Sequence, residues 1–153
     1  IDAEGFLKIT DRKKEMFKTS GGKYVAPQVL ENTFKQSRFI EQIMVIGEGE
    51  KMPAAFIQPS FEFVKEWASR HPNINLGSTN KDICQNQAVI ERIQEEVDHY
   101  NEKFGSWEKV KKFELTPEVW SIDEGHLTPT MKLKRKIILE KYKDLYQKIY
   151  NHQ

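Results

Sequence analysis

The chain has 153 residues, 38% of them apolar and 31% charged, enough for one rather polar globular domain with a real core. A net charge of +1 gives no global field for nucleic acid or an anionic membrane, and no apolar run is long enough to cross a bilayer. The one cysteine, Cys84, excludes an internal disulfide and fits a reducing cytoplasm; it reads as a packing residue.

In chain order, Phe6–Ile9 is a short strand candidate, part of a connector rather than of the new core. Residues 15–26 read as a hairpin, because Met16-Phe17 and Tyr24-Val25 flank a Ser-Gly-Gly turn. Pro27 sits where helices begin, and Val29, Leu30 and Phe34 give residues 27–37 a helical stripe, with Glu31 placed early to suit the dipole. Residues 40–47 and 52–59 carry continuous apolar runs around a Gly-Glu-Gly-Glu-Lys turn, an antiparallel pair at the centre of a sheet. Ser60 is an N-cap for a helix to about Arg70, and residues 71–80 are a surface loop.

From Lys81 to Phe104 the stripe of Val89, Ile90, Ile93, Val97, Tyr100 and Phe104 predicts the longest amphipathic helix, with Glu95, Glu96, Asp98 and Glu102 on its wet face. Alternation over 107–115 predicts a strand with one buried face. Residues 118–130 are irregular with Val119, Trp120 and Ile122 as apolar anchors, and such segments are often functional. Lys134–Tyr150 closes the chain as a helix. The fold class is α+β: a small, mostly antiparallel sheet with flanking helices and an N-terminal hairpin.

The charge is concentrated in two places. Arg12, Lys13, Lys14, Lys18 and Lys23 surround the Ser20-Gly21-Gly22 turn, and Lys132, Lys134, Arg135 and Lys136 gather where the last helix starts. Cations at a helix start oppose its dipole, so either the lysines escape into water or something anionic visits. Neither patch has clear stacking aromatics beside it in sequence, which argues against a basic nucleic-acid-binding module.

Two stretches carry a resemblance. Thr10–Pro27, with Asp-Arg-Lys-Lys-Glu and Gly-x-x-Tyr-x-Ala-Pro, resembles the motif that opens the C-terminal domain of AMP-forming acyl-CoA synthetases, nearest the long-chain fatty acid–CoA ligases. Leu127–Lys136 resembles the catalytic-lysine motif of the same family, and Asp2–Ile9 the end of its larger N-terminal domain. The resemblance implies that residues 1–13 are connector and hinge approach, and 14–153 the C-terminal lid. It implies roles for single residues: Lys134 for adenylation, Lys18 for thioester formation, Arg12 on the ribose of the nucleotide, Lys14 at the hinge, and Ser20, Gly21 and Gly22 along the CoA tunnel. Leu133 stands where the wider superfamily has Gly, as in the long-chain subgroup.

The activity implied is fatty acid, ATP and CoA to acyl-CoA, AMP and diphosphate, with Mg2+ held mainly outside this domain and no metal ligands here. The partner is the N-terminal domain of the same chain. Nucleic acid is not expected, and any peripheral membrane contact would come through the rest of the enzyme. Ile1 is not a natural start, so the sequence reads as a fragment, inactive alone and holding no substrate tightly. The rival is the lid of an adenylating enzyme that loads a carrier protein.

Overall fold

The computed structural model describes residues 16–150. The expected strand at 6–9, together with Arg12 and Lys14, lies outside that range. The hairpin is present as β1 (Phe17–Lys18) and β2 (Tyr24–Val25), antiparallel, with Phe17 opposite Val25 and Lys18 opposite Tyr24. Helix α1 (Pro27–Phe34) follows, with proline in its first turn as the sequence requires.

The main sheet has three strands: β3 (Ile40–Ile46), β4 (Ala54–Pro59) and β5 (Lys112–Leu115). β3 and β4 are antiparallel, with Met44 opposite Phe56 and Ile46 opposite Ala54, while β5 joins β4 in parallel. The sheet order is β3-β4-β5, so β4 is central and β3 is an edge, where the sequence suggested that the pair shared the centre. Alternation splits the two apolar runs between opposite faces. Ile43, Val45, Ala55 and Ile57 face a core with Leu30, Phe34, Val64, Val89 and Ile93; Met44, Ile46, Ala54 and Phe56 face a second with Trp120, Ile138, Tyr142 and Ile149. Two buried faces explain why these strands read as unbroken hydrophobic runs. Each large side chain fully buried there contributes about 1.5–3 kcal/mol.

Helices α2 (Phe61–Ser69), α3 (Asn80–Gln85) and α4 (Gln87–Asn101) supply the first core. The expected single helix from Lys81 is therefore two. Asn86 is extended (φ −72°, ψ 124°), and its side chain accepts from the N–H groups of Ala88 and Val89, ending one helix and capping the next. The apolar stripe hid this break because its period runs on through it. Ser60 does precede α2, but its side chain makes no capping bond. Of the expected wet face, Glu96 is drawn in: it pairs with Arg92 at 2.7 Å and accepts from the Ser37 hydroxyl at 2.6 Å.

The closing helix also divides, into α5 (Arg135–Lys141) and α6 (Lys143–Tyr150), around Tyr142 (φ −107°, ψ 31°). Tyr142 is buried in the second core, and its hydroxyl donates to Glu118 at 2.8 Å. Of the three anchors expected in 118–130, only Trp120 is one; Val119 and Ile122 are exposed.

Candidate functional site

The hairpin loop is built from backbone hydrogen bonds. Thr19 N–H donates to the Lys23 carbonyl and Gly22 N–H to the Thr19 carbonyl, both at 2.9 Å. Gly22 sits at φ 84°, a left-handed conformation that glycine takes without strain. Thr19 is buried, while Ser20, Gly21 and Gly22 are exposed. The loop hooks onto the β3–β4 turn: Gly49 N–H donates to the Lys18 carbonyl at 2.9 Å, and Ser20 N–H to the Glu50 carbonyl at 2.8 Å. That turn is held from the far side, where the hydroxyl of Tyr146 donates to Glu50 and that of Tyr150 to the Met52 carbonyl.

The Lys18 side chain is exposed, with its ammonium 5.6 Å from the centre of the Tyr24 ring. Lys23 lies 5.7 Å from the centre of the exposed Trp107 ring. The first basic patch thus does have aromatics beside it, against the sequence expectation. Trp107 is distant in the chain and is brought in by the fold.

The second motif sits on a small ladder of its own. Lys134 N–H donates to the His126 carbonyl and Thr128 N–H to the Lys132 carbonyl, both at 2.8 Å, with Leu127 bridged to Leu133. Met131 N–H donates to the Thr128 carbonyl at 2.7 Å, closing a turn through Pro129 and Thr130. Met131 then takes φ 66°, the one positive φ outside glycine among the described residues. Such a turn followed by a left-handed residue is a common three-residue hairpin loop, normally with glycine in the left-handed place. Leu127 is fully buried and Leu133 packs on the second core. Leucine at 133 is therefore an anchor; the conformation that favours glycine falls two residues earlier.

His126 seats this ladder. It is fully buried and stacked near-parallel with Trp120 and Tyr142, at centroid distances of 5.9 and 6.4 Å. Its Nδ1 accepts from Ser121 N–H at 3.2 Å, so the proton is on Nε2, which has no hydrogen-bond partner. Burial, then the charge of Lys141, pushes its pKa down. Trp120 is fixed by two donations, its backbone N–H to Gln58 and its indole N–H to Thr116.

The basic cluster at the start of α5 is not uniform. Arg135 forms a two-pronged pair with Glu31 of α1, at 2.8 and 2.7 Å, and Glu31 also accepts from Val45 N–H at 2.8 Å. Glu31 is buried in the fifth position of its helix, so it serves this contact rather than the dipole. Burial raises its pKa, and the guanidinium and the Val45 N–H draw it back. Lys132 and Lys136 are exposed and Lys134 is half-buried, and no hydrogen bond or ion pair holds their side chains among the described residues. Neither Glu31 nor His126 was identifiable from sequence. No spacing rule pairs position 31 with 135, and a lone histidine in an irregular stretch carries no signal.

Phe17 of the hairpin and Arg135 and Lys136 of α5 border one open cleft of about 910 Å³, floored by Met44 and Ile46; Lys18 and Lys134 lie outside its lining. Among the described residues no group of three His, Cys, Asp or Glu is placed to hold a metal. Cys84 is half-buried, and burial followed by Glu118 pushes its thiol up to about 12, which keeps it protonated at neutral pH.

A sheet covered on both faces, with a glycine hairpin hooked onto its β3–β4 turn and a lysine-bearing turn leading into its last helices, is the form of a known domain. The chain belongs to the family described as the AMP-binding enzyme C-terminal domain, whose model matches residues 15–153. Its relatives are more specific. The chain is 36% identical over 153 residues to the long-chain-fatty-acid–CoA ligase FadD15 of Mycobacterium tuberculosis, covering 100% of this chain and 25% of that protein. It is 34% identical over 150 residues to human long-chain-fatty-acid–CoA ligase 1, covering 96% of this chain and 21% of that one. The chain thus spans a quarter or less of the length of these relatives. The fold is shared with the adenylation domain of a carboxylate reductase from Mycobacterium chelonae (TM-score 0.73, 22% identity, 92% of this chain and 20% of that one). It is shared also with an adenylation–carrier didomain of a Segniliparus rugosus carboxylic acid reductase solved with AMP (TM-score 0.66, 21% identity, 94% of this chain and 18% of that one).

Proposed function

We propose that this chain is the mobile C-terminal domain of a long-chain fatty acid–CoA ligase, and that it serves the two half-reactions with two different lysines. In the first, a fatty carboxylate attacks the α-phosphate of ATP. Anion meets anion and charge grows on the phosphoryl oxygens, so an ammonium on a long stem, Lys134, contacts both and stabilises the transition state. In the second, CoA displaces AMP from the acyl-adenylate; Lys18 approaches that centre, and Ser20, Gly21 and Gly22 leave room for the pantetheine. Arg12 would contact the ribose, and rotation about Lys14 would exchange the two faces, with residues 1–13 as connector and 14–153 as the moving body. Mg2+, bound mainly by the rest of the enzyme, would neutralise the pyrophosphate.

One observation carries the reading. Lys18 is exposed and Lys134 half-buried, neither belongs to a core, and the backbones of both turns are tied to the body of the domain, the hairpin through Gly49 and Glu50 and the second ladder through Leu133 on the second core. A cytoplasmic setting goes with it, supported by the free thiol of Cys84. In the full-length enzyme, Lys134→Ala is expected to lower fatty-acid-dependent pyrophosphate release by about a hundredfold or more, with folding intact. The 153 residues alone are expected to turn nothing over. Free CoA offered to the full-length enzyme should yield acyl-CoA; acyl transfer to a carrier protein and none to CoA would favour the carrier-loading reading.

A further inference from the structure

We propose that Glu31 is a positioning residue for Lys134, acting through Arg135; the proposal rests on the role given to Lys134 above. Lys134 is the residue before α5 and is itself non-helical (φ −90°, ψ 83°); the helix holds only its carbonyl, which accepts from Ile138 N–H at 3.0 Å. It is held from two further sides. Its N–H is tied to the His126 carbonyl at 2.8 Å. The next residue, Arg135, is gripped by both carboxylate oxygens of Glu31.

Glu31 is only 5% exposed and faces three donors: two from Arg135 and the Val45 N–H of β3. A two-pronged pair fixes the guanidinium in plane as well as in distance, which one point charge would not. Glu31 is also on α1, which leaves the hairpin through Ala26. One buried carboxylate thus links the helix that follows the Lys18 turn, the edge strand of the sheet and the residue beside Lys134. It sets the direction in which Lys134 leaves the domain and leaves its charge free for substrate.

A buried ion pair is a poor way to gain stability, since apolar residues of similar size often serve as well or better. That separates positioning from mere support. In the full-length enzyme three variants are compared: Glu31→Gln, Arg135→Lys, and the double Glu31→Met with Arg135→Met. For each, the kcat and KM of fatty-acid-dependent pyrophosphate release, CoA-dependent thioester formation from preformed acyl-adenylate, and the melting temperature are measured. All three are expected to lose about tenfold or more in the adenylation kcat, while the KM for ATP and the thioester step stay within about twofold. The double variant is expected to melt near the parent temperature without regaining adenylation. Adenylation that returns together with stability in the double variant overturns the proposal, as does an equal loss in both half-reactions. If Lys134→Ala, with Glu31 intact, leaves adenylation unchanged, it is the role of Lys134 that fails, and the two failures are told apart.

Discussion

The two lysine-bearing turns solve one problem in opposite ways. The Ser20–Gly22 turn carries its own conformational freedom: Gly22 sits at φ 84° with nothing near the place a Cβ would occupy. Its strands are two residues each, resting on the first core through Val25 and Phe17, and the loop itself is tied through backbone groups of the β3–β4 turn. The Thr128–Lys132 turn has methionine where glycine belongs, and is held there from beneath by Leu127, Leu133, the His126 stack and the Glu31–Arg135 pair. Local chemistry shapes the first turn; tertiary anchoring imposes the second. The difference fits the proposed tasks, since a pantetheine tunnel needs small residues and an adenylation lysine needs a fixed direction.

The largest test of that contrast is Trp120→Ala. It removes the stack on His126 and the indole donor to Thr116, leaving the backbone bond to Gln58 in place, at a cost of about 3–5 kcal/mol, read by thermal or denaturant unfolding. The second ladder should loosen with it, seen as faster hydrogen exchange at Lys134 N–H and Thr128 N–H, while the hairpin amides stay protected. Next comes a mirrored pair. Gly22→Ala places a side chain at φ 84° and should destabilise by about 1 kcal/mol. Met131→Gly, which removes an exposed side chain from φ 66°, should stabilise by up to about 1 kcal/mol. Should both changes act with the same sign, the contrast drawn between the turns is wrong.

The smallest effect is a pH dependence. Burial depresses the pKa of His126 below its ordinary value, so the unfolded chain binds a proton that the folded one refuses. Stability contributed by the neutral ring is full above the ordinary imidazole pKa near 6.5 and is lost as pH falls below it. The melting temperature should therefore drop between about pH 7 and 5. His126→Asn, which can still accept from Ser121 N–H, should flatten that part of the curve.

The sequence made the frame legible where a local rule governed it. Pro27 marked the start of α1, the apolar runs marked β3 and β4, and the two glycines marked the hairpin. It misled where periodicity ran through a break, as at Asn86 and Tyr142, because an apolar stripe records which face is buried and not whether the backbone continues. It gave Glu31 to the helix dipole, because its partner Arg135 lies far off in the chain, and it was silent on His126, whose burial among Trp120 and Tyr142 no local pattern announces. The resemblance supplied what periodicity could not: Lys18 and Lys134 were singled out by motif, whereas composition left them as ordinary surface cations. Charge alone grouped Arg135 with the lysines, and only packing separates it from them as a structural partner of Glu31.

The account is tested most directly by measuring the two half-reactions separately in the full-length enzyme for Lys18→Ala and Lys134→Ala. Lys134→Ala should abolish acyl-adenylate formation while sparing the attack of CoA on preformed acyl-adenylate, and Lys18→Ala should do the reverse. Equal losses in both steps for either variant, or no loss for both, would contradict it.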